Sequence, residues 1–568
     1  MYDKPIPVLL MTDFYKVCHR ACYAPGTTQL VSYWTPRGSR IEGIRYVVSF
    51  GLQAFIKKYL LDYFEESFFA RSWEEVREEY VQYVSETFYP DIAQEEIEAF
   101  HKIHVLGHLP IQIRAVPEGL RVPVGCPMIE FRATEEWSFW LAGYLETLAS
   151  CNLWFPMTAA TIADHNRALV DAWYDKTVDD SVSRDFAAGD FSMRGMPGVE
   201  AAVMADAGHL LSFRSTATVP TAWWLHNFYN APFSVCKGTP SMEHSVVESY
   251  GKMREQEYYE RVATVVRPNG PLSMVSDTWD LWRVITEYLP NLKDKLMRRD
   301  GKVVIRPDSG DPVEILCGTL RPGTYMPLDD VVQPDDLKSW IRDYAEQHYD
   351  YLSGEDRFHA RIGDTLYSII CYHGFSEDED GNWGYEAAVE EVEIQSEPVT
   401  PEMKGVVELL WEIVGGTENS KGFRVLDSHF GVIYGDAITH DRANAIFSRL
   451  AEKGFAANNV ILGFGSYTYQ YVTRDTFGFA LKVTHGIVDG KERAMFKDPV
   501  TDKGKHSAHK KSQKGMCVVS LGPDGITYTD GHTMEESDQE GNLLRPVFRD
   551  GQLLVNEDFE TIRSRLRS

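Results

Sequence analysis

The octet IRPDSGDP, residues 305–312, concentrates more usable chemistry than any other short stretch of this chain. Arg306 offers a planar fork of donors that suits a carbonyl, a carboxylate or a phosphate. Asp308, two residues on, can accept from a vicinal pair of hydroxyls such as those of a ribose. Gly310 and Pro312 shape a tight loop that lets a ligand approach the backbone. Taken alone, the octet serves equally well as an Arg–Asp pair bracing a loop.

Other runs add complementary groups. YGDAI and GFGSYTYQ carry Gly435, Asp436, Gly465 and Ser466. Glycines there permit successive N–H groups to converge on an anion, and a helix opening after Ser466 would add its positive end. With Arg474 in TRD and Lys482 they make a phosphate cradle. DFSMRG and TDFYK present the rings of Phe191 and Tyr15 beside Asp190, Arg194, Asp13 and Lys16. A flat heteroaromatic is held by offset stacking plus one or two polar edges, although any single aromatic is more often plain core. MEHSVVESYG sets Glu243 beside His244. Such a histidine is commonly structural; its alternative is a phosphate acceptor or acid–base group, oriented by a carboxylate such as Glu243 or Asp277. A basic loop gathers Lys497, Lys503, Lys505, Lys510, Lys511 and Lys514, and TPRGSR adds Arg37 and Arg40. Both read as solvated surface or as polyphosphate contacts.

The elements that must position these groups are legible as strands. SMVSDTWD, KVVIRPDSGDP, FGVIYGD and NVILGFGS are short apolar runs that empty into polar or Gly-rich text. In parallel α/β proteins ligands sit at the carboxyl ends of strands, so these tips are expected on one rim. The text from about 161 to 477 alternates helical and β-rich patterns, the mark of βα units. Before it, residues 1–160 combine an amphipathic helical region over 52–100, short antiparallel strands in LPIQIRAVPEGLRVPVGCPMIEFRA, and a helix over 137–153. An acidic, irregular surface insertion is expected near 343–419, partly helical. Residues 478–568 close with strands, the basic stretch and a helix over 556–566.

With 568 residues and 43% hydrophobic content, the chain can pack two or three domains. No run approaches the roughly 18 apolar residues of a membrane span, and no secretory leader is read, so a cytoplasmic protein is expected. Its eight cysteines lack paired metal spacing, so no metal site built from the chain is expected. A net charge of −27 argues against sequence-independent nucleic-acid binding and makes any anion site a local basic island.

Taken in order, TDFYK, WTPRGSR, HLPIQIRAVPEG, DFSMRG, MEHS, VSDTWD, IRPDSGDP, YGD, the Gly-Ser exit and TRD resemble the nicotinamide phosphoribosyltransferases, with the nicotinate enzymes as more distant relatives. The insertion after residue 343 lies outside this resemblance. It implies an α/β fold, an incomplete barrel with a flanking α+β domain from both chain ends, working as a homodimer with shared active sites. It also implies transfer of the phosphoribosyl group of phosphoribosyl pyrophosphate to nicotinamide, with Mg²⁺ and with ATP. By position, Phe191 would stack on the pyridine ring, and Tyr15 of a partner copy would cover its other face. Arg306 would meet the amide oxygen and Asp308 the ribose hydroxyls. Arg194, Gly435, Asp436, Gly465, Ser466 and Arg474 would line the ribose-phosphate path, with Asp13 and Ser273 in the same substrate-binding set. Arg37, Lys482 and Lys497 would bind phosphate. His244 would be phosphorylated by ATP, flanked by Glu243 and Asp277.

One departure concerns the base. Ala217, in FRSTATVPT, stands where the nicotinamide enzymes have an aspartate. A second is the glycine-poor exit GFGSYTYQ, where the family's animal members are richer in glycine. A nicotinate-specific enzyme and a catalytically silent nucleotide-binding relative are the competing expectations.

Overall fold

The computed structural model describes residues 5–179, 183–328, 332–348, 355–377, 383–497 and 513–568. Lys503, Lys505, Lys510 and Lys511 of the basic loop lie outside them; Lys497 and Lys514 lie within. Two compact units divide the chain: residues 1–169, 188–238 and 464–568 form the first, residues 170–187 and 239–463 the second. The first unit therefore draws on both chain ends, as expected, and also takes in the DFSMRG and FRSTATVPT runs.

In the first unit a seven-stranded antiparallel sheet runs in the order Lys491–Ala494, Phe479–Val488, Thr27–Pro36, Ile129–Ala133, Ile111–Ala115, Arg545–Arg549 and Gln552–Leu553. Its central strands are buried on both faces; on one, Trp34 stacks on Phe479 at 5.1 Å between centroids and joins Ile113 and Phe131 in the core. The helices Trp73–Thr87 and Pro90–Leu106 follow from apolar residues spaced three and four apart. A capping box at Ser72 and Glu75 starts the first of them. The helix expected over 137–153 instead begins at Leu141, breaks at Leu145, and resumes as Glu146–Thr177. Pro156 does not stop it, because proline is a probable rather than an obligatory boundary. This unit also holds two short parallel strands, Ala188–Asp190 and Ser215–Thr216.

The second unit carries four adjacent parallel strands in the order Val460–Phe464, Phe430–Tyr434, Val303–Arg306 and Leu272–Val275. They are the four apolar runs read from the sequence, and they are almost wholly buried, as strands covered on both faces must be.

The acidic stretch departs from expectation. It is a four-stranded sheet of Met326–Pro327, Glu355–Ile362, Thr365–Glu377 and Trp383–Pro398, backed by the helix Leu337–His348 around Ile341, Ala345, Ile369, Cys371 and Val392. Its many charges alternate with apolar residues, and that period of two is a strand pattern that acidity alone does not disturb. Its two ends meet at a glycine crossing. A Cβ at Gly318 would lie 2.2 Å from the carbonyl oxygen of Met403, and one at Gly405 would lie 2.2 Å from the amide nitrogen of Gly318. Lys453 donates to the carbonyl oxygens of Cys317 and Lys404, both at 2.7 Å, and fixes the crossing.

Candidate active site

Three of the second unit's strands deliver polar groups at one end. Leu272–Val275 runs into Ser276 and Asp277; Val303–Arg306 ends on Arg306 and passes to Asp308; Phe430–Tyr434 passes to Gly435 and Asp436. The register pairs Val275 with Arg306 and Ile305 with Val432, so the three exits are neighbours. The Asp308 amide donates to Asp277 Oδ2 at 2.8 Å. Burial raises the pKa of the Tyr434 phenol, and the nearby carboxylates of Asp436, Asp277, Asp308 and Asp311 raise it further. Its hydroxyl donates to the carbonyl oxygen of Gly310 at 2.8 Å, which pins the RPDSGDP loop.

His244 opens a short helix, His244–Glu248, beside this group. Its Nδ1 lies 3.0 Å from Thr278 Oγ1, and its Nε2 lies 3.6 Å from Asp308 Oδ2. The flanking expected from Glu243 and Asp277 is thus supplied by Thr278 and Asp308. Glu243 turns instead to accept from Ser245 Oγ, and Asp277 is engaged by a backbone amide. Arg306 donates from one terminal nitrogen to the carbonyl oxygen of Met242 at 2.8 Å. Ser273 is buried at 1% exposure, and its backbone bonds to Pro240 and Met242 hold the segment that leads to His244. Among the described residues, Arg306 Nε, Asp277 Oδ1 and Ser273 Oγ are buried without a hydrogen-bond partner. Unpaired buried polar atoms are costly, and Arg306 Nε and Asp277 Oδ1 stand at neighbouring strand exits.

The first unit holds the remaining candidates. Ala188–Asp190 leads into Phe191, whose amide donates to Phe464 at 2.8 Å and whose ring is half-buried. Arg194 is exposed on the 3₁₀ turn Met193–Gly195. That turn abuts the Gly-Ser exit, since a Cβ at Gly195 would lie 2.1 Å from Ser466 Oγ. Ser466 opens a five-residue helix, Ser466–Gln470, after Gly465. Gly465 has φ −93°, and Gly435 is not in the left-handed region either. The backbone freedom expected at these two glycines is therefore unused; Ala437 takes the positive φ, 48°.

The TPRGSR loop is bound to the TRD turn: the amides of Gly38 and Arg40 donate to Phe477 and Thr476, and Arg37 Nε donates to Gly478 at 2.8 Å. Burial lowers the pKa of Arg37, and the positive charge of Arg474 nearby lowers it further. The carboxylate of Asp475, 3.4 Å from the Arg474 guanidinium, offsets part of that effect. Lys482 faces Tyr33 across the central strand pair and lies 3.7 Å from Glu146, which also binds Lys16. Tyr15 is 54% exposed, and Asp13 accepts from Thr147 Oγ1 at 2.8 Å. Lys497 is exposed.

Comparison with known proteins decides the family. A model of the nicotinate phosphoribosyltransferase (NAPRTase) family matches residues 186–372 and 391–552, and a nicotinamide phosphoribosyltransferase N-terminal domain model matches residues 7–113. The chain belongs to the nicotinate phosphoribosyltransferase family. A nicotinamide phosphoribosyltransferase of Acinetobacter baylyi is 36% identical across 98% of this chain and 96% of its own length. One from Xanthomonas campestris pv. campestris is 28% identical across 98% of this chain and 97% of its own. A nicotinate-nucleotide pyrophosphorylase from Pyrococcus furiosus shares the fold, with a TM-score of 0.52 at 13% identity over 100% of this chain and 97% of that one. The α/β barrel-type architecture and the pentosyltransferase class of this family member are thereby established. The family model spans most of the acidic stretch and leaves only 373–390 unmatched. The stretch thus belongs to the family pattern, contrary to the expectation from sequence.

Sequence reasoning missed the carboxyl group of Asp206. Asp206 is fully buried in the helix Val199–His209 and accepts from Thr216 Oγ1 at 2.8 Å. Asp190, also fully buried, accepts from Ser192 N, Ser192 Oγ and Thr218 Oγ1 at 3.0–3.1 Å. Burial raises both pKa values, that of Asp190 to about 6 and that of Asp206 well beyond the ordinary aspartate range. A signal was present: Asp206 is the one acid in the VMADAGHLL run, which is apolar apart from it and His209.

Proposed function

We propose that this pentosyltransferase joins nicotinamide to the ribose of phosphoribosyl pyrophosphate, giving nicotinamide mononucleotide and pyrophosphate for NAD salvage. One observation carries the reading: Asp277, Asp308 and His244 touch in turn at neighbouring strand exits, with Arg306 on the adjacent strand in register with Val275, and with Arg306 Nε and Asp277 Oδ1 left unpaired. The relatives named nicotinamide phosphoribosyltransferase support the choice of base.

In this mechanism Asp308 accepts from the two ribose hydroxyls and Arg306 donates to the amide oxygen of the base. Phe191 stacks on the pyridine ring, and Tyr15 of a second copy covers its other face; the exposed rings of Phe14 and Tyr15 suit such a homodimer. Arg194, Gly435, Asp436, Gly465, Ser466 and Arg474 line the ribose-phosphate path. The bond from C1′ to the pyrophosphate oxygen breaks first, and its electron pair leaves with pyrophosphate, held by Arg37, Arg474, Lys482 and Lys497. The lone pair of the pyridine nitrogen then forms the new bond to C1′. The protein contributes positioning and charge stabilisation.

No cluster of three metal-binding side chains exists among the described residues, and the donors near Tyr434 are all carboxylate oxygens. The carboxylates of Asp277, Asp308, Asp311 and Asp436 are hard oxygen donors that would suit an Mg²⁺ carried on the diphosphate, where it would supply charge neutralisation. ATP is the second substrate: His244 Nε2 attacks the γ-phosphorus, the bond to ADP breaks, and hydrolysis of the phosphohistidine favours product. Thr278 on Nδ1 leaves Nε2 as the nucleophile. We place the enzyme in the cytosol, where its eight free thiols stay reduced.

The test is an assay of pyrophosphate release with nicotinamide and nicotinate at equal concentration. Turnover with nicotinamide is expected; nicotinate alone, or neither base, would overturn the reading. His244→Ala is expected to abolish ATP hydrolysis while retaining some base transfer. Equal loss of both would refute the division of labour.

A further inference from the structure

Beneath the Phe191 loop lies a sealed acidic chain of contacts. Thr218 Oγ1 donates to Asp190 Oδ1 at 3.1 Å; the Thr218 amide donates to Thr216 Oγ1 at 2.8 Å; Thr216 Oγ1 donates to Asp206 Oδ2 at 2.8 Å. The Ala217 amide donates to the carbonyl oxygen of Asp190 at 2.9 Å, so the Phe191 and Ala217 loops are tied by this group. Ala217 itself is exposed, while Thr216 and Thr218 on either side are buried. Every recorded partner of the two carboxyl groups is a hydroxyl or a backbone amide, and none is a cation.

The titratable neighbours do not neutralise the pair. Burial keeps His209 neutral, with its pKa lowered to about 3, and its Nδ1 is engaged by Tyr469 Oη at 2.9 Å. Burial likewise raises Tyr469, and it pushes the Cys236 thiol up to about 11. Arg194 lies in solvent, where its charge is screened. A buried charge is screened far less, so its field reaches whatever rests on the Phe191 and Ala217 loops.

We propose that the sealed Asp190–Asp206 pair makes this enzyme select a neutral pyridine base over an anionic one, in place of a carboxylate at position 217. The inference rests on the reading that the base stacks on Phe191. Linked through Thr218 and Thr216, the two carboxyl groups share a proton, because the second ionisation must work against both burial and its neighbour. At neutral pH the pair therefore keeps one proton and one negative charge. The carboxamide of nicotinamide carries no charge and tolerates that field. The carboxylate of nicotinate is repelled by it. The pair acts through the loops it ties and through its field, so these are specificity-determining residues that need not touch the base.

The experiment compares kcat/KM for nicotinamide and nicotinate in the full-length enzyme, with phosphoribosyl pyrophosphate and Mg²⁺ saturating. The double variant Asp190→Asn with Asp206→Asn is neutral and keeps amide oxygens for the hydroxyl contacts. It should shift the ratio towards nicotinate at least about tenfold, equivalent to about 1.4 kcal/mol. Each single variant retains one ionisable acid and should shift the ratio less. A folded double variant with the wild-type ratio would overturn the proposal. A measurement on the unmodified enzyme covers the case of a variant that does not fold. Between pH 8 and pH 5.5 the preference for nicotinamide should weaken, centred near pH 6 as the pair takes up its second proton. A ratio independent of pH would count against it. A wild type that prefers nicotinate overturns the selection proposal and leaves phosphoribosyl transfer standing; release of pyrophosphate with neither base overturns both.

Discussion

The molecule treats its carboxyl groups in two ways. In the second unit, Asp277, Asp308 and Asp436 stand at strand exits, partly open to solvent and sharing their surroundings with His244 and Arg306. In the first unit, Asp190, Asp206 and Glu118 are sealed, and each is satisfied chiefly by hydroxyls and backbone amides. Open carboxylates retain lone pairs for a substrate, so their removal should be felt in catalysis. Sealed ones, although Asp206 Oδ1 is left without a partner, are out of a substrate's reach and should be felt in folding, in loop geometry and in the field around the site.

The largest expected effect tests the open group. Asp308→Ala should lower kcat/KM for phosphoribosyl pyrophosphate by about a hundredfold, the worth of two charge-assisted hydrogen bonds, while the nicotinamide KM changes little. An unchanged KM for phosphoribosyl pyrophosphate would remove Asp308 from the ribose. A smaller effect sharpens the picture at His244. Thr278→Val removes the hydroxyl on Nδ1 without changing volume, and it should slow ATP hydrolysis about fivefold while uncoupled base transfer continues. Equal slowing of both rates would show that Thr278 supports the fold rather than the imidazole.

The smallest effect concerns the sealed group and appears in stability alone. Glu118 accepts from the amides of Gly51 and Gln53 and from Tyr229 Oη, and so caps a helix from outside. Burial raises its pKa to about 7, against about 4.3 for an exposed glutamate. The folded form therefore holds a proton that the unfolded chain releases earlier. Its contribution to stability is fully present below about pH 4.3 and is lost as pH rises towards 7. Glu118→Gln should flatten the fall of the unfolding midpoint between pH 5 and pH 7, with kcat unaltered. The same slope in wild type and variant would assign the pH dependence elsewhere.

The difference between the two groups also explains what could be read from the chain. Arg306, Asp308, Asp277 and Asp436 were legible because each follows an apolar run, and a polar residue at a buried strand's exit needs a reason. His244 was legible as a candidate, but its partner was not, since Thr278 carries no charge and sits 34 residues away in sequence. Asp206 was overlooked because helix and strand periodicity say nothing about a single acid inside an apolar helix. The acidic sheet was misread because attention to charge hid the alternation in VEEVEIQSEP, whose Val392 is buried between exposed glutamates.

The crossing of Gly318 and Gly405 carries a consequence for how this enzyme can vary. Chain enters and leaves the acidic sheet at one point, where two backbones touch with no side chains between them and Lys453 stitches both. Such a closed loop behaves like a handle on a cup: it can be lengthened, shortened or re-lettered without tugging on the vessel. The gap between the two matched segments of the family pattern, 373–390, falls inside that handle. Swapping its tip between relatives should therefore be tolerated, whereas adding a single methyl group at either glycine would pry the handle off.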